Sequence, residues 1–279
     1  MSLIDSIYKM NILNMDALLG DACQWAKEAG AVQLEYFRGN RLDIHTKLGE
    51  SDIVTAADKA SEAVILGHIR SKYPDHAILS EESGDNGHLN RVRWVIDPLD
   101  GTTNFSEGLP IFAVSIGVEV DGEPCIGVVY APYLNEMFTA VKGKGAYLNG
   151  NPIAPRRNGI MERAVVSTGF PVDKATNPDN NLDNVARVLP LVRGLRRLGS
   201  AAMDLCYVAA GYLDGYWELN LHEWDVCAAT VICHEAGAKT KRWRTDREVC
   251  LVAATPEIFT QLMPLLDTKP CSSLPLWTK

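Results

Sequence analysis

No apolar run in this chain approaches the roughly 20 residues that a membrane span needs, so no membrane partner is expected. Blocks of Lys or Arg are also missing, and the formal net charge is −8. Nucleic acid is therefore not expected as the main partner. A small anionic substrate stays open, because local fields matter more than the total. The first residues, "MSLIDSIYKMNILNMD", lack a basic start followed by an apolar block, so no secretory leader is expected. No Cys-x-x-Cys occurs among the seven cysteines, at 23, 125, 206, 227, 233, 250 and 271. Their odd count and apolar neighbours read as reduced core thiols and a cytoplasmic location. The six histidines show no paired metal spacing, so His222 and His234 read as structural. "GKGAYLNG" lacks the full G-x-x-x-x-G-K-[ST] pattern of a phosphate loop and reads as a hairpin. There is no internal repeat and no low-complexity tract.

With 279 residues and 47% hydrophobic content, the chain can bury one large core or two modest ones. Apolar residues at helical spacing predict a helix over 16–38, with Asp16 as its cap and Gly39 beyond its end. Residues 40–52 are polar and read as a mobile loop or a weak strand pair. A second helix follows Thr55 and stops before Pro74. "AILS" and "RWVI" are short buried strands ending at Glu81 and Asp97. Asp121-Gly122 marks the turn of a hairpin built from "IFAVSIGVEV" and "EPCIGVVYAP". A polar linker lies near 151–163. Beyond it strands and helices alternate: strand 164–169, helix 180–193, a small-residue helix "SAAMDLCYVAAG", strand "DGYWEL", helix 226–236, strand "EVCLVAA" and helix 256–266. The tail after 266 shows no periodicity. The expected class is α/β, with an α+β N-terminal part over 1–155 and an α/β C-terminal part over 156–279.

The stretch "WVIDPLDGTTNF", residues 94–105, concentrates the chemistry. A buried strand ending in Asp97 places a carboxylate at a C-terminal strand edge, where open α/β sheets usually hold their sites. Pro98 cannot donate to a ladder, so a turn is expected there. Asp100 then returns beside Asp97, and two such carboxylates repel unless a proton or a cation lies between them. A hard cation such as Mg²⁺ takes oxygen ligands of this kind, together with water and substrate phosphate. Gly101-Thr102-Thr103 supplies a close-approaching backbone whose N–H groups can hold phosphate oxygens. Glu81, Glu82 and Asp225 stand at comparable element ends, so distant acids can converge on a pair of metals suited to attack on phosphorus.

Each acid also has an ordinary reading. Asp225 can be a helix N-cap. Asp58 fits a capping box with Thr55. Glu81 and Glu82 can be solvated loop acids. Asp97 and Asp100 can cap a turn, a weaker alternative because the pair follows an apolar strand directly.

"DPLDGTTNF" resembles the signature of the inositol monophosphatase family of Mg²⁺-dependent, lithium-sensitive phosphatases, and "WDVCAA" resembles its second signature. "SEES", "DIVTAAD", "FAVSIGVEV" and "RRLGSAAMDLCYVAAGYLDGYWE" are similar to its usual pattern, so the likeness runs from about 16 to 266. The resemblance implies a layered αβαβα sandwich, usually dimeric, with two to three Mg²⁺ per site. It carries Glu81, Asp97, Asp100, Asp225 and the Leu99 carbonyl over as metal ligands, with Asp58 near a weaker third metal. Thr102 and Glu81 would activate the attacking water. Gly101, Thr102 and Thr103 would hold the phosphate. Glu218 would meet a substrate hydroxyl, Ala201 would lie in the substrate-facing turn, and Lys47 in the mobile loop. Two departures stand out: Ser80 replaces a more usual Gly, and "AKTKRWRTDREVC" after Gly237 is shorter and more basic than the usual connection.

The expected activity is hydrolysis of a phosphate monoester by a metal-bound water. An aspartyl-phosphate route does not fit, because the spacing is D-x-x-D rather than D-x-D-x-T. "GTTNF" resembles the inositol phosphatase branch, and Glu218 suits a polyol. Inositol 1- or 4-monophosphate leads. Fructose 1,6-bisphosphate, histidinol phosphate, 3′-phosphoadenosine 5′-phosphate and NADP are the related alternatives. Rivals from other classes are a regulatory protein that keeps the fold and a structural Ca²⁺ or Mg²⁺ protein.

Overall fold

The computed structural model describes residues 13–39, 45–49 and 52–266. Helix α1 (Met15–Tyr36) begins at Asn14, whose side chain accepts the Ala17 N–H at 3.0 Å. Asn14 therefore takes the capping role expected of Asp16, which sits in the first turn and pairs with Lys144. Strands β1 (His45–Gly49) and β2 (Asp52–Val54) form an antiparallel pair, the second of the two readings of 40–52. Helix α2 (Ala56–Lys72) opens with the capping box seen in the sequence. Thr55 Oγ1 accepts the Ala57 N–H at 3.1 Å and Asp58 accepts the Thr55 N–H at 2.8 Å.

Strands β3 (Ala77–Ser80), β4 (Gly84–Asp85) and β5 (Val92–Asp100) follow, then the single turn of helix α3 (Thr102–Ser106). Strands β6 (Ala113–Val120), β7 (Glu123–Ala131), β8 (Glu136–Val141), β9 (Ala146–Leu148) and β10 (Asn151–Pro152) complete an eight-stranded sheet in the order β10-β9-β8-β7-β6-β5-β3-β4. Only β3 and β5 run parallel among these pairs. Asp121 and Gly122 both have positive φ, at 54° and 81°, and close the β6–β7 hairpin as expected.

The turn expected at Pro98 is replaced by a break in register. Strand β5 continues to Asp100, but Asp97 faces Ser115 while Asp100 faces Ala113. One extra residue is absorbed on β5, and Pro98, with no N–H to lose, lies in this bulge. Its carbonyl is still used: Gln33 Nε2 and Ser61 Oγ both donate to it at 2.7 Å.

The second half holds β11 (Val165–Thr168), α4 (Leu182–Val188), β12 (Gly194–Arg196), α5 (Ala201–Ala209), β13 (Gly215–Leu221), α6 (Glu223–Ala236), β14 (Lys239–Arg244), β15 (Val249–Ala254) and α7 (Pro256–Leu262). The sheet order is β12-β11-β13-β15-β14, parallel across β12-β11-β13 and antiparallel beyond. Two expected helices are shorter. Pro190 and Pro264 turn the ends of 180–193 and 256–266 into 3₁₀ segments. Helix α6 starts earlier than expected, at Glu223. Strands β12 and β14 carry no apolar alternation, and the sequence did not suggest them.

Three of the four buried apolar clusters lie between the layers. Helices α1 and α2 cover one face of the large sheet around Trp25, Ile65 and Trp94. Helices α5 and α6 fill the space between the sheets. Helices α4 and α7 close the outer face of the small sheet around Trp217, Ile258 and Leu262. The order is αβαβα. The middle contact is tight: a Cβ at Gly127 of β7 would lie 2.1 Å from the Ala228 carbonyl oxygen of α6. Small residues on both surfaces bring the start of α6, with Asp225, down onto the sheet that carries Asp97.

No helix among the described residues is long and apolar enough to cross a membrane. Cys125, Cys206, Cys227, Cys233 and Cys250 are free and buried, Cys23 is free and half-buried. Cys271 and the tail lie outside the described residues.

Candidate active site

Seven elements carry the sequence-selected residues whose side chains are described. Glu81 follows β3, and its N–H donates to the Ile96 carbonyl of β5 at 3.1 Å. Ser80, the departure from the family pattern, is buried and its Oγ donates to Glu62, which also accepts the Ser83 N–H at 3.0 Å. The hydroxyl thus anchors the turn that presents Glu81. On β5, the bulge sets Asp97, Leu99 and Asp100 close together, and Asp97 Oδ1 accepts the Leu99 N–H at 3.0 Å.

Asp100 reaches across to the start of α5. It accepts the Ser200 hydroxyl, the Ala202 N–H at 2.7 Å and the Ala201 N–H at 3.3 Å. Asp225 is not the N-cap of α6. His222 holds that position, and Asp225 accepts the His222 N–H at 2.6 Å from the first turn. His222 itself pairs with Glu248 and stacks on Trp224, and His234 meets Thr240 Oγ1, so both stand in structural contacts.

The acids feel one another. Burial, then the charges of Glu81, Asp100 and Asp225, push the Asp97 carboxyl well above the usual range, and Asp97 also hydrogen-bonds Glu81. Burial raises Asp225 strongly, with Asp100, Glu81 and Glu218 adding to it. Asp100 is pushed up to about 6 by burial, against the opposing pull of its three hydrogen bonds. Among the described residues no Lys or Arg forms an ion pair with Asp97, Asp100 or Asp225. Buried carboxylates without a cationic partner are costly. An all-oxygen donor set of this kind fits a hard divalent cation. Among the described residues no group of three or more Asp, Glu, His or Cys side chains is already drawn into ligand geometry; the carboxylates are turned onto backbone N–H groups and Ser200 instead.

Beside this cluster, Gly101 has φ 93° and leads directly into α3. A Cβ there would lie 3.0 Å from the Ile111 carbonyl oxygen, so glycine is required on both counts. Thr102 Oγ1 faces two acceptors, Asp58 Oδ1 at 3.0 Å and the Leu99 carbonyl at 3.1 Å. Asp58 therefore has the capping role anticipated for it, with one oxygen capping α2, while its other oxygen meets Thr102. The Thr103 side chain is exposed at the turn. The Lys47 side chain lies outside the described part.

Glu218 projects from β13. Tyr216 OH donates to its Oε2 at 2.7 Å, and a Cβ on Gly169 would fall 1.9 Å from the same oxygen. Burial pushes Glu218 up to about 7, opposed by the Tyr216 hydrogen bond and by the charge of Arg197. Ser200, Ala202, Tyr216 and Gly169 were not selected from the sequence. Ser200, directly before a run of small residues, carried an N-cap signal that pointed to the helix start but not to Asp100.

The model of the inositol monophosphatase family matches residues 14–266. The chain belongs to this family. It is 40% identical over 265 residues to the Nus factor SuhB of Pasteurella multocida, covering 93% of this chain and 98% of that one. It is 45% identical over 200 residues to an inositol-1-monophosphatase of Synechocystis, covering 71% and 70% of the two chains. The solved inositol monophosphatase of Anabaena superposes with a TM-score of 0.83 at 38% identity, over 94% of this chain and all of that one (100%). The inositol monophosphatase likeness covers both the β5 bulge and the α6 start.

Proposed function

We propose that this protein is a Mg²⁺-dependent phosphate monoester hydrolase whose leading substrate is inositol 1- or 4-monophosphate. One observation carries the reading. Glu81, Asp97, Asp100 and Asp225, from three separate elements, form one acidic cluster beside the Gly101–Thr103 turn. Glu81, Asp97, Asp100, Asp225 and the Leu99 carbonyl would hold two cations, with Asp58 near a weaker third. A bound divalent cation would supply the positive charge that acidifies water and neutralises charge on the departing oxygen.

The chain's own groups would do the rest. The Gly101–Thr103 N–H groups would hold the phosphoryl oxygens, the positions where charge grows as the P–O bond breaks. Thr102, already directed at Asp58 and Leu99, would orient the attacking water, and Glu81 would take its proton. Glu218 and the Ala201 turn would meet the hydroxyls of the polyol, and Lys47, on β1, would help to hold the substrate. A cytoplasmic homodimer is the form in which we expect it to act, with phosphorylated sugars as lesser substrates.

A second reading, a regulatory protein that keeps the fold, is favoured by the relatives named Nus factor SuhB. Release of inorganic phosphate separates the two. The hydrolase reading expects turnover of inositol 1-phosphate that requires Mg²⁺ and is suppressed by Li⁺. No release from inositol 1-phosphate, fructose 1,6-bisphosphate or 3′-phosphoadenosine 5′-phosphate in saturating Mg²⁺ would leave the regulatory reading.

A further inference from the structure

The short basic segment after Gly237 has no part in the reading above, yet two of its arginines, Arg244 and Arg247, anchor a polar network of their own. Arg244 ends β14 with its side chain 3% exposed. Its fork grips Asp179 at 2.8 and 2.7 Å and also bonds Asp246. Arg247 reaches the same loop, donating to both Asp173 oxygens at 2.9 Å and to the Asp179 carbonyl at 2.6 Å. Its Nε donates to Asn220 Oδ1 at 3.2 Å. Asn220 has φ 60° and lies where the β13–β15 register breaks, between Glu218 and Leu221.

The gripped loop, residues 171–181, reads PVDKATNPDNN, and its largest apolar side chain, Val172, is 50% exposed. Hydrophobic burial cannot fix such a segment. At its end, Asn181 Nδ2 donates to the Gly169 carbonyl at 2.6 Å and to Thr168 Oγ1 at 2.8 Å, while its Oδ1 accepts the Trp217 indole N–H at 2.8 Å. Gly169 in turn abuts the Glu218 carboxylate so closely that no side chain fits between them. One route therefore runs from the arginines through the loop to Gly169 and Glu218. Another runs from Arg247 through Asn220 into the strand that carries Glu218. Buried ion pairs are poor sources of net stability but good devices for fixing geometry.

We propose that Arg244 and Arg247 are positioning residues that clamp the 169–181 loop onto β13 and so hold the Glu218 carboxylate in place for a substrate hydroxyl. The proposal rests on the reading of Glu218 as a polyol contact. The clamp selects for polyhydroxy substrates and leaves the phosphate half of the site alone.

The test compares inositol 1-phosphate with 4-nitrophenyl phosphate, which has no ring hydroxyls. Arg247→Ala is expected to raise KM for inositol 1-phosphate about tenfold or more, the scale of a small misplacement of a contact, and to change KM for 4-nitrophenyl phosphate less than about twofold. Arg247→Lys keeps the charge but not the fork and is expected to recover part of the loss. Amide exchange across 169–181 should be faster in Arg247→Ala than in the parent protein. If Arg247→Ala does not fold by circular dichroism, Asp173→Asn gives the same comparison with a half-exposed partner. Equal changes for both esters, or unaltered exchange in the loop, overturn the clamp. If the parent protein hydrolyses neither ester, the hydrolase reading falls, and exchange alone decides: accelerated exchange upholds the clamp and unaltered exchange overturns it.

Discussion

The carboxylate of Asp100 accepts the backbone N–H of Ala202 at 2.7 Å, across the layer between the two sheets. This contact ties the β5 bulge to the first turn of α5, and Ser200 reinforces it from the cap position. The β5 bulge and the start of α5 are thereby tied together, with the acidic cluster on one side and Glu218 on the other.

Ser200→Ala should therefore have two effects. It removes an N-cap, at a cost of about 1 kcal/mol. It also removes a hydroxyl donor that holds the Asp100 carboxyl down. We expect a lower melting temperature together with a higher Mg²⁺ concentration for half-maximal phosphate release. A change in stability with an unaltered Mg²⁺ requirement would confine Ser200 to capping.

Stability of the cation-free protein should fall as pH rises. Asp100 is raised from 3.8 to about 6 and Glu218 from 4.5 to about 7, so both bind protons more tightly folded than unfolded. Their contribution is complete below the unfolded values and is lost as pH climbs through the folded ones. Thermal melts in chelator from pH 4.5 to 7.5 should show this decline, on the order of a few kcal/mol. Added Mg²⁺ should restore stability more at pH 7.5 than at pH 5, through binding to the folded form. A melting temperature that climbs with pH in chelator would contradict the burial of these carboxyls as the cause of their raised pKa values.

Tyr216→Phe isolates the support of Glu218. The phenol donates to Oε2 from a fully buried position, and its loss leaves the carboxylate short of one partner. A hydrogen bond to a charged group is worth about 1.5–3 kcal/mol, so KM for inositol 1-phosphate should rise roughly tenfold or more. Steady-state kinetics on inositol 1-phosphate against 4-nitrophenyl phosphate reads this out, and an equal effect on both would show that Tyr216 acts through the fold.

Gly127→Ala probes the fold. The new Cβ would meet the Ala228 carbonyl, a backbone atom that cannot rotate away. Overpacking of this kind costs about 1–3 kcal/mol, and denaturant melts should show it. Because α6 carries Asp225, Mg²⁺ affinity should fall as well.

Much of this was legible in the sequence where the signal is local. The Asp121-Gly122 turn, the Thr55–Asp58 capping box and the Gly237 helix end follow from turn and cap chemistry, and each appears where expected. Pro98 was misread because a bulge tolerates a residue without an N–H as well as a turn does. Strand β14, "KTKRWR", escaped notice because it is an edge strand whose first residues face solvent, so it needs no alternation. The Asp100 contacts with Ser200 and Ala202 could not be read at all, since nothing local in either segment refers to the other. Family resemblance supplied that convergence in outline, and the layered packing supplies its physical cause.

The central claim is that carboxylates from three elements share divalent cations. Crystals grown with Mn²⁺ in place of Mg²⁺ test it most directly, by anomalous scattering. The account predicts anomalous peaks bounded by Glu81, Asp97, Asp100 and Asp225, lost in Asp97→Asn. A clear map of the parent protein at saturating Mn²⁺ with no peak among these side chains would contradict it.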